Sequence, residues 1–188
     1  NTALRLRSEV LSSLSINDTQ IDPFSPLILI IERKSTNNRL FLNVDEIEEY
    51  LLSRCDFCRV KRIDYTNKDF ISQVRLTTRA SVLIGVHGSG LSNCLWMKPS
   101  TEREPTALIE LMPNGYSCRN WFHGAAKIAK IDYYTVMGKK EREKIITITD
   151  EKSNQTNLEK DTLNYCRSRP ELCSTLLCHD RLRDQNVT

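Results

Sequence analysis

Three stretches of this chain are apolar with almost no interruption: LILII from Leu27, VLIGV from Val82 and ALIEL from Ala107. A strand with one wet face alternates polar and apolar residues. A strand buried on both faces does not, and such runs belong to parallel sheets covered by helices. Between the runs lie patterns at helical spacing: Val44, Ile47, Tyr50 and Leu51; Phe70, Ile71, Val74 and Leu76; Leu91, Leu95 and Trp96; Trp121, Ala125, Ile128 and Ala129. Asn43, with Glu46 three residues on, reads as a capping box opening the first of these helices. The segments Arg59 to Ile63 and Tyr133 to Met137 add two short strands. Strands alternating with helices predict a doubly wound α/β fold with a parallel sheet, because such crossovers are right-handed.

The length of 188 residues suits one domain with flanking pieces. Residues 1–26 read as an N-terminal helix (Leu4, Val10, Leu11, Leu14) and a proline-containing linker. Residues 27–138 hold the alternating pattern, and 139–188 read as a loop with a helical tail. The 27 basic residues are interleaved with 24 acidic ones, for a net charge of +3. That balance argues against a nucleic-acid partner. No apolar run reaches the roughly 18 residues a membrane span needs, and no signal peptide is visible. The chain opens in mid-pattern, as expected of a piece of a longer protein, so a membrane anchor would lie outside it.

Seven cysteines are present. Cys55 and Cys58 form a CxxC, but no second ligand pair at zinc-finger spacing follows. A redox CxxC normally opens a helix, whereas this one closes a helical pattern. Disulfides of a secretory compartment account better for some of these thiols, especially in the cluster Cys166, Cys173 and Cys178. Sequons at Asn17, Asn154 and Asn186 are compatible with secretory passage.

In open α/β sheets ligands bind at the carboxyl ends of strands. Arg33 follows the first strand, and Arg39 lies further along its loop. The third strand ends in His87-Gly88-Ser89-Gly90, with Leu91 opening the next helical pattern. A helix entered through a glycine turn points unpaired N–H groups and a partial positive charge outward, which suits a phosphate or pyrophosphate. Arginines pair with phosphate oxygens. Glu110, inside an apolar strand, needs a partner if buried. Each residue also has a plainer reading: loop arginines are usually solvated, and a histidine at a strand end is commonly a satisfied structural residue. The turn is not a dinucleotide fingerprint, a P-loop or a nucleophile elbow, because their spacings are missing. His123, Trp121 and the charged run from Lys139 to Lys144 read as packing or solvated surface.

The stretch GVHGSGL…LWMKP…IELMP, together with the upstream IERKSTNNRLFLN, resembles family 61 glycosyltransferases. The ending RDQN is similar to a C-terminal element of one branch. Ser89 stands where the family usually has Ala, and STEREP is longer than the family pattern. The resemblance implies the Rossmann-like C-terminal half of a GT-B glycosyltransferase that binds a UDP-sugar donor. Carried over, Arg33 and Arg39 would contact the diphosphate. His87 and the turn Gly88, Ser89, Gly90 and Leu91 would sit against pyrophosphate and sugar, with Glu110 near the ribose or the domain edge. It further implies inverting transfer to a protein-linked or glycan hydroxyl in the endoplasmic reticulum or Golgi lumen. No tightly bound cofactor or metal is expected, and the catalytic base would come from another domain. UDP-GlcNAc is the donor it favours, with β1,2-xylosyl transfer to N-glycans as the alternative. A non-catalytic nucleotide- or sugar-binding module is the reading from another class.

Overall fold

A computed structural model describes residues 2–18, 21–22, 24–33, 39–114, 116, 121–138 and 166. The loop and helical tail expected within 139–188 lie outside these residues, Cys166 apart. So do the sequons at Asn154 and Asn186. Asn17 is exposed.

The chain runs α1 (Thr2–Ser13), β1 (Leu27–Ile31), α2 (Val44–Arg54), β2 (Arg59–Ile63), α3 (Phe70–Thr77), β3 (Val82–Val86), a 3₁₀ helix (Ser89–Trp96), β4 (Ala107–Met112), α4 (Trp121–Ala129) and β5 (Asp132–Met137). The five strands form one parallel sheet in the order β2-β1-β3-β4-β5. β1 and β3 are buried along nearly their whole length, as their unbroken apolar sequences require. β2 lies at one edge, where Arg59 and Lys61 face solvent and discourage pairing with another chain.

Side-chain parity divides the core. Leu29, Ile31, Leu83 and Leu108 face one side, under the 3₁₀ helix and α4. Ile28, Ile30, Ile84, Val86 and Leu111 face the other, against Val44 and Ile47 of α2. Burial of these residues at about 25 cal/mol per Å² is the main force holding the sheet to its helices.

Two local expectations are corrected. The segment after the glycine turn is a 3₁₀ helix rather than an α-helix, and its buried face is not Leu91, Leu95 and Trp96. Leu91, Cys94 and Met97 are each wholly buried, and three residues per turn stacks side chains at i, i+3 and i+6. A 3.6-residue turn would rotate Met97 off the core. Asn43 precedes α2, but its side chain makes no capping bond to the backbone. Its Nδ2 instead faces Glu46 Oε2 at 3.5 Å. The side-chain cap observed is at α3, where Asp69 Oδ1 accepts from the amide of Ser72 at 2.7 Å.

The segment before β1 is bound to the sheet domain. Arg7, 5% exposed, donates from Nε to the carbonyl of Trp96 at 3.2 Å and grips Asp18 through both terminal nitrogens at 2.7 and 2.6 Å. Cys55 and Cys58 are joined in a disulfide where α2 gives way to β2, and Cys166 is also disulfide-bonded.

Candidate functional site

The sheet order changes direction between β1 and β3, which makes the carboxyl ends of these strands the crevice where ligands of doubly wound sheets bind. Arg33 follows β1 and His87-Gly88 follows β3, so both lie at that point. A side chain at Gly88 would begin 3.5 Å from Nη1 of Arg33 and 3.6 Å from Nη1 of Arg39. Two guanidinium groups therefore converge on a backbone stripped of its Cβ. Among the described residues no carboxylate pairs with Arg33. Arg39 holds its place with φ at 56°, in the left-handed region that non-glycine residues seldom occupy.

The turn is pinned from both sides. The amide of Leu91 donates to the carbonyl of Gly88 at 3.0 Å, starting the 3₁₀ helix. Asn93 Nδ2 donates to the carbonyl of Gly90 at 3.1 Å and to Gln73 Oε1 at 3.2 Å. Gln73 in turn donates to the carbonyls of Tyr65 and Lys68. Ser89 is exposed at the mouth of the turn. At Gly85 a Cβ would come within 3.1 Å of both Ile31 and Leu91, so glycine lets the 3₁₀ helix lie this close to β3 without either side chain giving way.

His87 and Glu110 lie beneath the turn, 2% and 0% exposed at their side chains. Gly85 pairs with Glu110 and Thr135 pairs with Glu110, so His87 and Tyr133 share its face of the sheet at the two diagonal positions. His87 Nδ1 lies 2.5 Å from Glu110 Oε1, and Tyr133 Oη donates to Glu110 Oε2 at 2.5 Å. Both carboxylate oxygens are thus engaged inside the protein. The amide of His87 donates to the carbonyl of Leu111, and its ring packs beside Tyr116 and Phe122 at centroid distances of 4.8 and 5.3 Å. Burial, and then the hydrogen bond to Glu110, push the Tyr133 hydroxyl well above its ordinary range. Burial, and then the charge of Glu110, push the Cys94 thiol up to about 12.

Of the residues singled out from sequence, Arg33, Arg39, Gly88, Ser89, Gly90 and Leu91 come together at one end of the sheet, with His87 below them. Glu110 is joined to the group through His87. Tyr133, Gln73 and Asn93 were not read from sequence. The signal for Tyr133 is its parity with Glu110, which appears only once the β4–β5 register is known. Trp121 lies 6.4 Å from the His87 ring, and exposed His123 packs against Tyr133 at 5.1 Å. Among the described residues, no group of three or more His, Cys, Asp or Glu side chains is placed to hold a metal, and no helix is long and apolar enough to cross a membrane.

The fold defines the class first: a doubly wound, Rossmann-like α/β domain with a glycine turn at its switch point. The family model Glycosyltransferase 61 matches residues 2–102, from α1 through the 3₁₀ helix. The chain belongs to glycosyltransferase family 61. It is 34% identical over 90 residues to the alpha-1,3-arabinosyltransferase XAT3 of Oryza sativa subsp. japonica, covering 48% of this chain and 14% of that protein. It is 33% identical over 125 residues to the EGF domain-specific O-linked N-acetylglucosamine transferase of Mus musculus, covering 64% of this chain and 22% of that protein. The chain therefore spans less than a quarter of the length of these relatives.

Proposed function

We propose that this chain is the donor-binding domain, the C-terminal half of a GT-B architecture, of an inverting glycosyltransferase that uses a UDP-sugar. One observation carries the reading: Arg33 and Arg39 converge on Gly88 at the topological switch point. A diphosphate seated there would meet two guanidinium groups and the amides of Gly88, Ser89 and Gly90, with His87 as its floor. An acceptor hydroxyl attacks the anomeric carbon, and UDP leaves with its bonding electrons. The arginines and amides offset the growing charge electrostatically, in the place a metal takes in other transferases. The general base belongs to a domain outside this chain.

UDP-GlcNAc is the preferred donor, because the mouse relative that covers 64% of the chain is named for GlcNAc transfer. A pentose donor, UDP-xylose included, is the second reading, supported by the arabinosyltransferase match. The acceptor is a protein-linked or glycan hydroxyl. Disulfides persist in oxidising compartments, so Cys55–Cys58 and Cys166 support an endoplasmic reticulum or Golgi lumen location.

Calorimetry with UDP tests the reading. Arg33→Ala and Arg39→Ala should each weaken binding by about 1–3 kcal/mol, the range for hydrogen bonds to charged groups. Unchanged affinity in both variants removes the arginines from the site. Saturable UDP binding with no transfer by the full-length protein would favour a binding module.

A further inference from the structure

We propose that Glu110 and Tyr133 are positioning residues that act on the donor site through His87, by fixing which of its ring nitrogens carries the proton. The inference rests on the donor reading of the Gly88 turn and deepens it. A free imidazole can place its single neutral proton on either nitrogen, and the hydrogen bond made by one nitrogen decides the state of the other. Here Nδ1 is 2.5 Å from Glu110 Oε1. Tyr133 donates to the other oxygen at 2.5 Å, so its hydroxyl proton is already directed at the carboxylate. As a carboxylate, Glu110 is then an acceptor toward His87. The proton of neutral His87 then sits on Nδ1, and Nε2 is the nitrogen left for whatever enters beneath the turn.

The geometry also locks orientation. Three neighbouring strands contribute one member each, His87 after β3, Glu110 in β4 and Tyr133 in β5. Their side chains share one face of the sheet in a continuous diagonal. Rings of Tyr116 and Phe122 close around the imidazole. Glu110 therefore holds the residue that precedes Gly88, and with it the start of the turn where the two arginines converge. A carboxylate buried this fully is costly unless its oxygens are satisfied. Tyr133 fills the position that His87 leaves open.

The test uses the whole chain, ¹⁵N-labelled at histidine, without ligand and then with UDP. In the unmodified protein the His87 nitrogens should read Nδ1 protonated and Nε2 unprotonated at a pH where the ring is neutral. Glu110→Gln keeps a carbonyl oxygen toward Nδ1 and should preserve that tautomer, with UDP affinity within about threefold. Glu110→Ala should mix or invert the tautomer and weaken UDP by about tenfold, the scale of a buried polar group losing its partner. Tyr133→Phe should keep the tautomer and lower affinity less than Glu110→Ala. Thermal melts of each variant check that the fold is retained. Where Glu110→Ala does not fold, the unmodified protein and Glu110→Gln decide through their ¹⁵N shifts. An Nε2-protonated His87 in the unmodified chain overturns the proposal, and so does a folded Glu110→Ala with unchanged tautomer and unchanged UDP affinity. If the unmodified chain binds no UDP, the donor reading fails and the link to a donor site falls with it, while the tautomer measurements still decide whether Glu110 fixes the His87 proton.

Discussion

Arg39 Nη1 lies 3.6 Å from the point where a Cβ on Gly88 would stand. The absence of a side chain there is therefore a feature of the site as much as of the backbone. Gly88 has φ 164° and ψ 168°, an extended conformation open to any residue. Gly88→Ala should leave the melting temperature almost unchanged, because a methyl would sit at ordinary contact distance. The same methyl would occupy the gap between the guanidinium groups. UDP affinity should fall by about tenfold or more, roughly the value of one good charged hydrogen bond. Equal affinity for the variant and the parent in calorimetry would place the diphosphate elsewhere.

Arg39 offers a second experiment, because its backbone is left-handed with φ at 56°. Such a conformation costs a non-glycine residue on the order of 1 kcal/mol, and glycine almost nothing. Arg39→Gly should be more stable than Arg39→Ala by about that amount in urea unfolding. Both should lose the same share of UDP binding, since both lack the guanidinium. Equal stabilities would mean the loop relaxes its backbone once the arginine is removed.

Cys94 is buried and its thiol is raised to about 12. Burial likewise raises the Tyr65 hydroxyl to about 12. Each is an acid whose neutral form the fold favours, so its contribution is present in full below the unfolded value, about 8.5 for Cys and 10 for Tyr. It is lost progressively as pH rises from there toward 12. Urea midpoints should therefore decline above about pH 9. Iodoacetamide at pH 8 should spare Cys94 in the folded chain and label it in denaturant, as peptide mass spectrometry would show. Rapid labelling of the native chain would contradict the burial.

Asp18 behaves oppositely. The hydrogen bond from Arg7 is the largest influence and holds the carboxyl below its usual range; burial opposes it, and the charges of Arg7 and Lys98 add to the lowering. A depressed carboxylate stabilises above its unfolded value of about 3.9 and loses that contribution as pH falls below it. Asp18→Asn should lower stability at neutral pH and flatten the acid limb of the stability curve. Arg7→Ala should cost more, because it also leaves the Trp96 carbonyl without its donor. A curve for Asp18→Asn parallel to that of the parent would show that the pair contributes nothing.

Much of the architecture was legible because double-faced burial writes itself into LILII and VLIGV, which leave no parity to misread. The positions of Arg33 and Arg39 after β1 were legible for the same reason: once the strand is placed, its carboxyl end follows. Their convergence on Gly88 was not, since it depends on a loop conformation and a left-handed Arg39. The 3₁₀ helix was misread because Leu91 and Leu95 fit a 3.6-residue period as well as Leu91, Cys94 and Met97 fit a three-residue one. Asn43 had the composition of a cap, yet its amide is drawn to Glu46. Glu110 announced that it needed a partner, but naming Tyr133 required a register that a single sequence does not contain.

The fastening of Arg7 to Trp96 sets a practical boundary for anyone who cuts this chain. Starting the polypeptide at β1, where the alternating pattern begins, would strip the cation from a carbonyl at the end of the 3₁₀ helix and uncover the surface under Leu11. The smallest unit worth expressing therefore begins at α1, some two dozen residues ahead of the first strand.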